Sequence, residues 1–275
     1  MPHCAAMVWI RSVTGRTLPV SLLAGAVWLT LGCAHPGARP ALSPGARENA
    51  ASPSVDEVLG NYYEAIGGYQ HLKAVRTRRM EGEYHEGKLA ARTEIVQMRP
   101  NLRRVVVHGG AWDHYEGFDG APYEFHRDSG KTGKLSRVTG EAALAILRGA
   151  EFDESFVDYA ARGFAAALIG RETVHGLTVY RLRITRLDDW QLDYLFDVHS
   201  HLLVGLQKAM PLHAEGAPVT SLTLYSDWRF TGGLLVPYSG MELNLTSGAI
   251  MNTLNWNVIE LNEPVPPSEL NPPTP

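Results

Sequence analysis

The feature that most constrains the fold is a regular alternation of apolar and polar residues along several segments between positions 77 and 260. In one segment Tyr180, Leu182 and Ile184 alternate with arginine and threonine, and the segment that begins at Trp190 repeats the pattern. A period of two places the apolar side chains on one face of a strand and leaves the other face to water. Antiparallel sheets commonly have one buried and one wet face, whereas parallel sheets rarely do. The alternation and the turn residues between segments therefore predict an antiparallel sheet of about ten strands.

Helical patterns precede and interrupt these strands. Ser54 and Glu57 are spaced as in a capping box and predict a helix that ends at the glycine pair 67–68. A short second helix is predicted over 69–75. The stretch 139–162 combines good helix formers with aromatic residues at helical spacing, which predicts a helical insert. About four strands precede this insert and about six follow it.

A long curved sheet with few helices needs those helices to cover its apolar concave side. Where they cover it incompletely, a cavity for apolar ligands results. We expect the alternating apolar residues of the later strands to line this cavity. They are Tyr180, Leu182, Ile184, Trp190, Leu192, Tyr194, Phe196, Leu222, Leu224, Trp228, Leu254 and Trp256.

The N-terminus is typical of an exported protein. Arg11 and Arg16 precede or adjoin an uncharged apolar run over 17–31, which is shorter than the roughly 20 residues of a spanning helix. Cys33 follows a small residue at the end of this run, as in the bacterial lipobox, in which the cysteine is lipidated. The alternative is ordinary cleavage after Ala34, which gives a soluble periplasmic protein.

We therefore predict a lipoprotein signal peptide over 1–32, a lipidated Cys33 with a flexible tether over 33–54, and one β domain over 55–275. The tether is rich in proline, alanine, glycine and serine, with almost nothing to bury. Alanine rather than aspartate after the cysteine resembles lipoproteins of the outer membrane. The predicted location is the cell envelope, at the outer membrane and facing the periplasm.

Composition excludes several classes of function. The formal charge is −4 at pH 7, with 25 basic and 29 acidic residues and no long basic block. Nucleic acid is therefore not an expected partner, because phosphate binding needs a concentrated positive face. Cys4 and Cys33 both precede the predicted domain, so neither an internal disulfide nor a CxxC zinc site is available. We expect no metal and no cofactor.

Two motifs that resemble catalytic sites have simpler explanations. His108-Gly109-Gly110 is similar to an esterase oxyanion loop, but no GxSxG motif follows it, so a tight turn is favoured. Asp153, Glu154 and Asp158 have the chemistry of general acids and bases. Their predicted helix carries aromatic residues on its other side, so we expect these acids on a solvated face. No catalytic residue is predicted.

Seven segments of the chain occur in the same order as in one known family. They lie at 55–83 (VDEVLGNYYEAIGGYQHLKAVRTRRMEGE), 98–107 (MRPNLRRVVV), 116–125 (EGFDGAPYEF), 151–163 (EFDESFVDYAARG), 170–186 (GRETVHGLTVYRLRITR), 225–239 (YSDWRFTGGLLVPYS) and 259–270 (IELNEPVPPSEL). In this order they resemble the outer-membrane lipoprotein-sorting family, relatives of the LolA and LolB carriers. The resemblance implies an unclosed β-barrel, capped by helices, whose apolar cavity holds acyl chains. It brings no catalytic residues.

The residues and the resemblance together predict a mainly β (α+β) fold, an open, helix-capped antiparallel half-barrel of about ten strands. The predicted function is non-enzymatic binding or transport of an apolar ligand, either a lipid or the acyl chains of a lipoprotein. The first alternative is a membrane-anchored interaction module with a packed core, and an envelope protein as partner is left open. The second alternative is a periplasmic hydrolase, which a polar cluster inside the cavity would favour.

Overall fold

The computed structural model describes residues 52–213 and 216–274. The predicted signal peptide, Cys33 and most of the tether lie outside these ranges, so those three expectations stay predictions. None of the helices within the described ranges is long and apolar enough to cross a membrane.

The described chain folds into one antiparallel sheet of thirteen strands. Three α-helices accompany it: α1 (Val55–Ala65), α2 (Tyr69–Ala74) and α3 (Gly140–Ala150). The strands are β1 (Thr77–Glu86), β2 (Leu89–Met98), β3 (Leu102–His108), β4 (Trp112–Phe118), β5 (Pro122–Asp128), β6 (Lys134–Arg137), β7 (Ala165–Val174), β8 (Leu177–Thr185), β9 (Gln191–Asp197), β10 (Leu203–Met210), β11 (Val219–Thr231), β12 (Leu234–Asn244) and β13 (Ile250–Leu261). A short 3-10 helix follows at Pro267–Leu270.

The strand order is β6-β5-β4-β3-β2-β1-β13-β12-β11-β10-β9-β8-β7, and the sheet does not close. Each half is a series of neighbouring hairpins, and the halves meet where the first strand pairs with the last. At this seam Gly82 is tightly packed, since a Cβ there would lie 2.1 Å from the carbonyl oxygen of Asn255. The structure confirms the predicted class, a mainly β, open antiparallel sheet with few helices.

The strand count differs from the prediction, with six strands before α3 and seven after it. The additional strands lie mainly in the first half, where apolar alternation is weak. All four residues of β6 are exposed and only one is apolar. Charged residues such as Arg103 and Glu116 occupy positions that face inward in β3 and β4. Apolar alternation alone therefore does not reveal all the strands of the first half.

Helix α1 begins and ends as predicted. The Ser54 hydroxyl accepts a hydrogen bond from the Glu57 amide at 3.1 Å, and the Glu57 carboxylate accepts one from the Ser54 amide at 2.6 Å. Gly67 and Gly68 then take positive φ values of 109° and 108°. Such values are easily reached only by glycine, so the pair ends the helix.

The predicted helical insert is only half helical. Residues 140–150 form α3, whereas 151–164 follow a series of turns. Asp158 has φ 54°, a left-handed conformation that an α-helix does not continue through. Asp153, Glu154 and Asp158 therefore do not share a solvated helix face, and that expectation was wrong.

The insert and α1 form the main core against β8 to β10. Phe156 is 1 % exposed, and its ring centroid lies 4.8 Å from that of Tyr194, 5.4 Å from Tyr62 and 5.5 Å from Phe196. These edge-on contacts are favourable aromatic geometries. Helix α3 instead packs across β4 and β5, near the other end of the sheet. The part of the concave face between these two covers lines a cavity.

Candidate ligand cavity

The cavity has a volume of about 780 Å³. This value falls within the range of roughly 300–1,000 Å³ found for small-molecule sites. Strands β1 to β5 form one wall, β9 to β13 form the other, and the end of α3 with residues 151–155 lies across them. Both halves of the sheet therefore contribute to one concave site.

Part of the cavity surface is apolar. On β2 and β3, Ile95 pairs with Val105 and Thr93 pairs with Val107, so their side chains form adjacent rows on the same face. The apolar lining consists of Leu89, Ile95, Val105, Val107, Trp112, Phe152, Trp190, Leu192, Leu206, Met210, Leu212, Tyr225 and Leu254 together with Tyr84 and Tyr194. None of the residues on β2 to β4 in this set was predicted from the sequence to line the cavity.

The predicted cavity residues have several different locations. Four of the twelve line the cavity: Trp190, Leu192, Tyr194 and Leu254. Leu182, Ile184 and Phe196 lie on the same sheet face but are buried in the core, with Tyr180 packed at its border. Trp256 is half-buried and belongs to neither group. Which of these residues contact a ligand stays a prediction.

Strand β11 changes face along its length. Leu222 is buried on the opposite side of the sheet, in a cluster with Val179 and Leu195, and Leu224 packs against that cluster. Trp228 packs instead against the concave core. The change occurs at Asp227, which has φ 55° and is skipped in the pairing of β11 with β12. Tyr238 opposite is skipped as well, so the register is the same on both sides and no residue is inserted in either strand.

The cavity also contains ionisable side chains, which the sequence analysis did not anticipate. They are Arg78, Glu86, Arg103, His114, Glu116, Glu124, His126, Arg148, Glu151, Asp153, Glu154, Arg186, Lys208, His213 and Glu242. The available signal was the inward parity of Arg103 in a strand whose next two inward residues are Val105 and Val107. A charged residue at an inward position is uncommon in a packed core and indicates an open one.

Glu154 is one of these ionisable residues. Protein atoms surround the Glu154 side chain, yet the side chain is accessible. It is accessible because it faces the open space of the cavity. Its carboxylate accepts a hydrogen bond from the Tyr194 hydroxyl at 3.1 Å, and that hydroxyl accepts one from the Ser155 amide at 3.1 Å. Burial raises the pKa of Glu154, and the Tyr194 hydrogen bond and the charge of Arg78 offset only part of this increase.

Ion pairs hold the insert in place above the cavity. The Glu151 carboxylate accepts two hydrogen bonds from Arg186, at 2.6 and 2.7 Å. Arg148 pairs with Asp188 at 2.8 Å, and its guanidinium carbon lies 4.3 Å from the Trp190 ring centroid. These contacts connect the insert to the turn between β8 and β9. Within the described ranges, no group of three or more acidic, histidine or cysteine residues is arranged to hold a metal ion.

These features define the class of the protein: an open antiparallel half-barrel with a ligand-sized cavity on its concave side. No protein-family model and no curated protein matches the chain. Among solved structures it is similar to a DUF1329 family protein from Desulfovibrio piger, with a TM-score of 0.55, 8% identity, and coverage of 80% of this chain and 98% of that one.

The chain is also similar to a putative outer membrane lipoprotein-sorting protein domain from Vibrio parahaemolyticus. The TM-score is 0.50 and the identity 10%, with coverage of 78% of this chain and 95% of that one. A LolA superfamily protein from Nitrosomonas europaea matches with a TM-score of 0.48 and 12% identity, over 80% of this chain and 99% of that one. The first two similarities show that the chain shares the fold of those two proteins.

Proposed function

We propose that this domain binds an apolar chain, from a lipid or a lipoprotein, and carries it in the cell envelope without converting it chemically. The observation that carries the proposal is the cavity of about 780 Å³, which Ile95, Val105 and Val107 line with apolar side chains on β2 and β3. A cavity of this size also disfavours the packed interaction module. The similarity to a lipoprotein-sorting domain supports a periplasmic location and this kind of ligand.

The test begins with the purified domain. Native mass spectrometry, followed by solvent extraction, should find a lipid-like molecule in the protein from cells. Titration of the emptied domain with a fluorescent fatty acid should saturate at one site. The probe should be recovered intact after long incubation. Cleavage of an ester-linked probe would instead support the hydrolase, for which Glu154 with its raised pKa is the favouring observation.

Replacing Val107 with tryptophan should fill part of the cavity and weaken probe binding about tenfold, equivalent to roughly 1.4 kcal/mol. Val107 lines the cavity, so the larger ring occupies space that the ligand needs. The matched control is Ile169→Trp, because Ile169 is 51% exposed on the edge strand β7. Both variants should unfold near the wild-type urea midpoint. Equal probe affinities for the two variants and the wild type would exclude the cavity as the binding site.

We further propose that Cys33 is lipidated and anchors the chain to the outer membrane. Cys33→Ser should move the protein from the membrane fraction to the soluble periplasmic fraction, because the acyl chains supply the anchor. Cys4→Ser is the matched control and should leave the protein with the membranes, since Cys4 falls within the predicted signal peptide. A wild-type protein that is already soluble, with a mature N-terminus at position 35, would contradict the anchor.

A further inference from the structure

Three polar side chains form a row across the first three strands. Arg78 on β1 pairs in register with Gln97 on β2, and Gln97 pairs in register with Arg103 on β3. All three line the cavity. Neighbouring strands are about 4.8 Å apart, so the two arginine backbones are separated by roughly 10 Å. We call Arg78, Gln97 and Arg103 the arginine row.

Within residues 52–213 and 216–274, neither guanidinium group in the arginine row has an ion-pair partner. No carboxylate among the described residues lies within 4.0 Å of Arg78 or Arg103. The other lysine and arginine side chains of the cavity each have one. Arg186 is paired with Glu151 at 2.6 Å, Arg148 with Asp188 at 2.8 Å and Lys208 with Glu242 at 3.9 Å.

The arginine row also has hydrogen-bond donors that are not used. Arg78 makes a long hydrogen bond of 3.5 Å to the Gln97 side-chain oxygen, and that contact leaves the Gln97 NH₂ group able to donate. The Arg103 Nε is buried with no hydrogen-bond partner in the described part of the chain, as are the Nε atoms of Arg148 and Arg186. A buried polar group without a partner is costly, and for a charged group the cost is larger.

The electrostatic environment agrees with this geometry. Burial lowers the pKa of both Arg78 and Arg103. Glu154 acts on Arg78 and Glu116 acts on Arg103 through space, and these charges offset the effect of burial only in part. Both arginines nevertheless stay cationic, because a guanidinium has a very high intrinsic pKa.

The two guanidinium groups are held by the insert. Arg78 lies over the Phe152 ring, 5.0 Å from its centroid. Arg103 lies against the last turn of α3, where a Cβ on Gly149 would be 2.7 Å from the Arg103 Nη1. A glycine at this position therefore gives the Arg103 side chain its space. Both arginine side chains of the arginine row are therefore packed against the insert and are not free on the surface.

We propose that the arginine row binds the anionic oxygen group, a carboxylate or a phosphate, at the polar end of the ligand, an inference that rests on the proposed function. Guanidinium groups present paired N–H donors that match such anions. Ile95 and Val105 follow the row at two residues along β2 and β3, about 7 Å away, so an attached apolar tail would lie directly on them. The ligand class is thus an anionic amphipath.

The test compares a fluorescent fatty acid, the corresponding alkyl phosphate and the corresponding alcohol on the intact wild-type domain. The acid and the phosphate should bind at least about tenfold more tightly than the alcohol, as expected for charge-assisted hydrogen bonds. Arg78→Gln and Arg103→Gln should each reduce this difference, because the affinities for the acid and the phosphate should fall more than the affinity for the alcohol. Arg92→Gln is the control, because the Arg92 side chain is 61% exposed and lies outside the cavity.

The outcomes separate the anion site from the proposed function. Equal binding of the acid and the alcohol by the wild type would overturn the anion site and leave the carrier function intact. Binding of none of the three probes would overturn both. Inorganic phosphate that binds as tightly as the alkyl phosphate would show a free-anion site and contradict the amphipath. Because this comparison uses the wild type, it does not depend on the folding of any variant.

Discussion

Replacing Phe156 with alanine is expected to lower the free energy of unfolding by about 3–5 kcal/mol. Phe156 is 1 % exposed and contacts Tyr62, Tyr194 and Phe196 edge-on. The substitution removes a ring from a site that helix α1, the insert and the sheet all enclose, so the space cannot close without moving one of them. Urea unfolding followed by intrinsic fluorescence measures the change.

Phe230→Ala is the matched control for this experiment. Phe230 is 74% exposed, so the same chemical change should alter the free energy of unfolding by no more than about 0.5 kcal/mol. A loss below about 1 kcal/mol for Phe156→Ala would mean that residues 151–164 contribute little to the core. The cavity would then lack a fixed cover on that side.

Replacing Asp193 with asparagine should lower the free energy of unfolding by about 3 kcal/mol at pH 7, as expected when one partner of a buried ion pair is removed. Asp193 is 4% exposed. Its carboxylate accepts hydrogen bonds from Arg183 at 2.6 and 2.8 Å and from Arg181 at 3.0 Å. We expect a loss of stability at the lower end of the range for buried ion pairs, because the Arg183 side chain is 37% exposed.

The control for Asp193→Asn is an exposed pair of similar geometry. Asp227 accepts hydrogen bonds from Arg229 at 3.0 and 2.6 Å, and its side chain is 46% exposed. Asp227→Asn should lower the free energy of unfolding much less than Asp193→Asn does, because surface ion pairs contribute little to stability. Asparagine tolerates the left-handed backbone at this position, so the backbone effect is small. Equal losses for the two variants would contradict the role assigned to burial.

The effect of Asp193→Asn should depend on pH in a defined direction. Burial raises the pKa of Asp193, but the hydrogen bonds from Arg183 and Arg181 outweigh it, so the net pKa is lowered. An unfolded aspartate titrates near 3.9. The stabilisation is therefore complete above that pH and is lost as the pH falls through the lower folded-state pKa. The difference between wild type and variant should shrink in acid, and a constant difference from pH 7 to pH 3 would contradict this explanation.

The sequence could predict what depends on local periodicity. The apolar alternation of β8 and β9 predicted both strands and their inward face, although the structure also buries the second face of β9, where Leu195 packs with Val179 in a smaller cluster. The Ser54–Glu57 capping box predicted the start of α1, because both of its hydrogen bonds join residues that are close in sequence. The residue at which α3 ends was harder to predict, because the turns that follow it depend on tertiary contacts of Phe156 and on the backbone conformation of Asp158.

The cavity could be predicted only in outline. Leu182 and Leu192 have the same alternation and both are buried in the core, and only the position of α1 and the insert decides that Leu192 also lines the cavity. The arginine row is a product of strand register. Arg78 and Arg103 are distant in sequence, and their approach requires both the β1–β2 and the β2–β3 pairings. No pattern within one segment encodes that arrangement.

The pairing of β1 with β13 determines when the cavity becomes complete as the chain folds. The hairpins of β1 to β6 form from contacts between neighbouring segments, but β1 acquires its second partner only when residues 250–261 are present. Contacts between distant parts of a chain are slow to form. A chain that is still being made would therefore have separate hairpins and an incomplete cavity, because the cavity takes residues from both sides of the seam. We therefore expect the proposed ligand to enter only after β13 has joined the sheet.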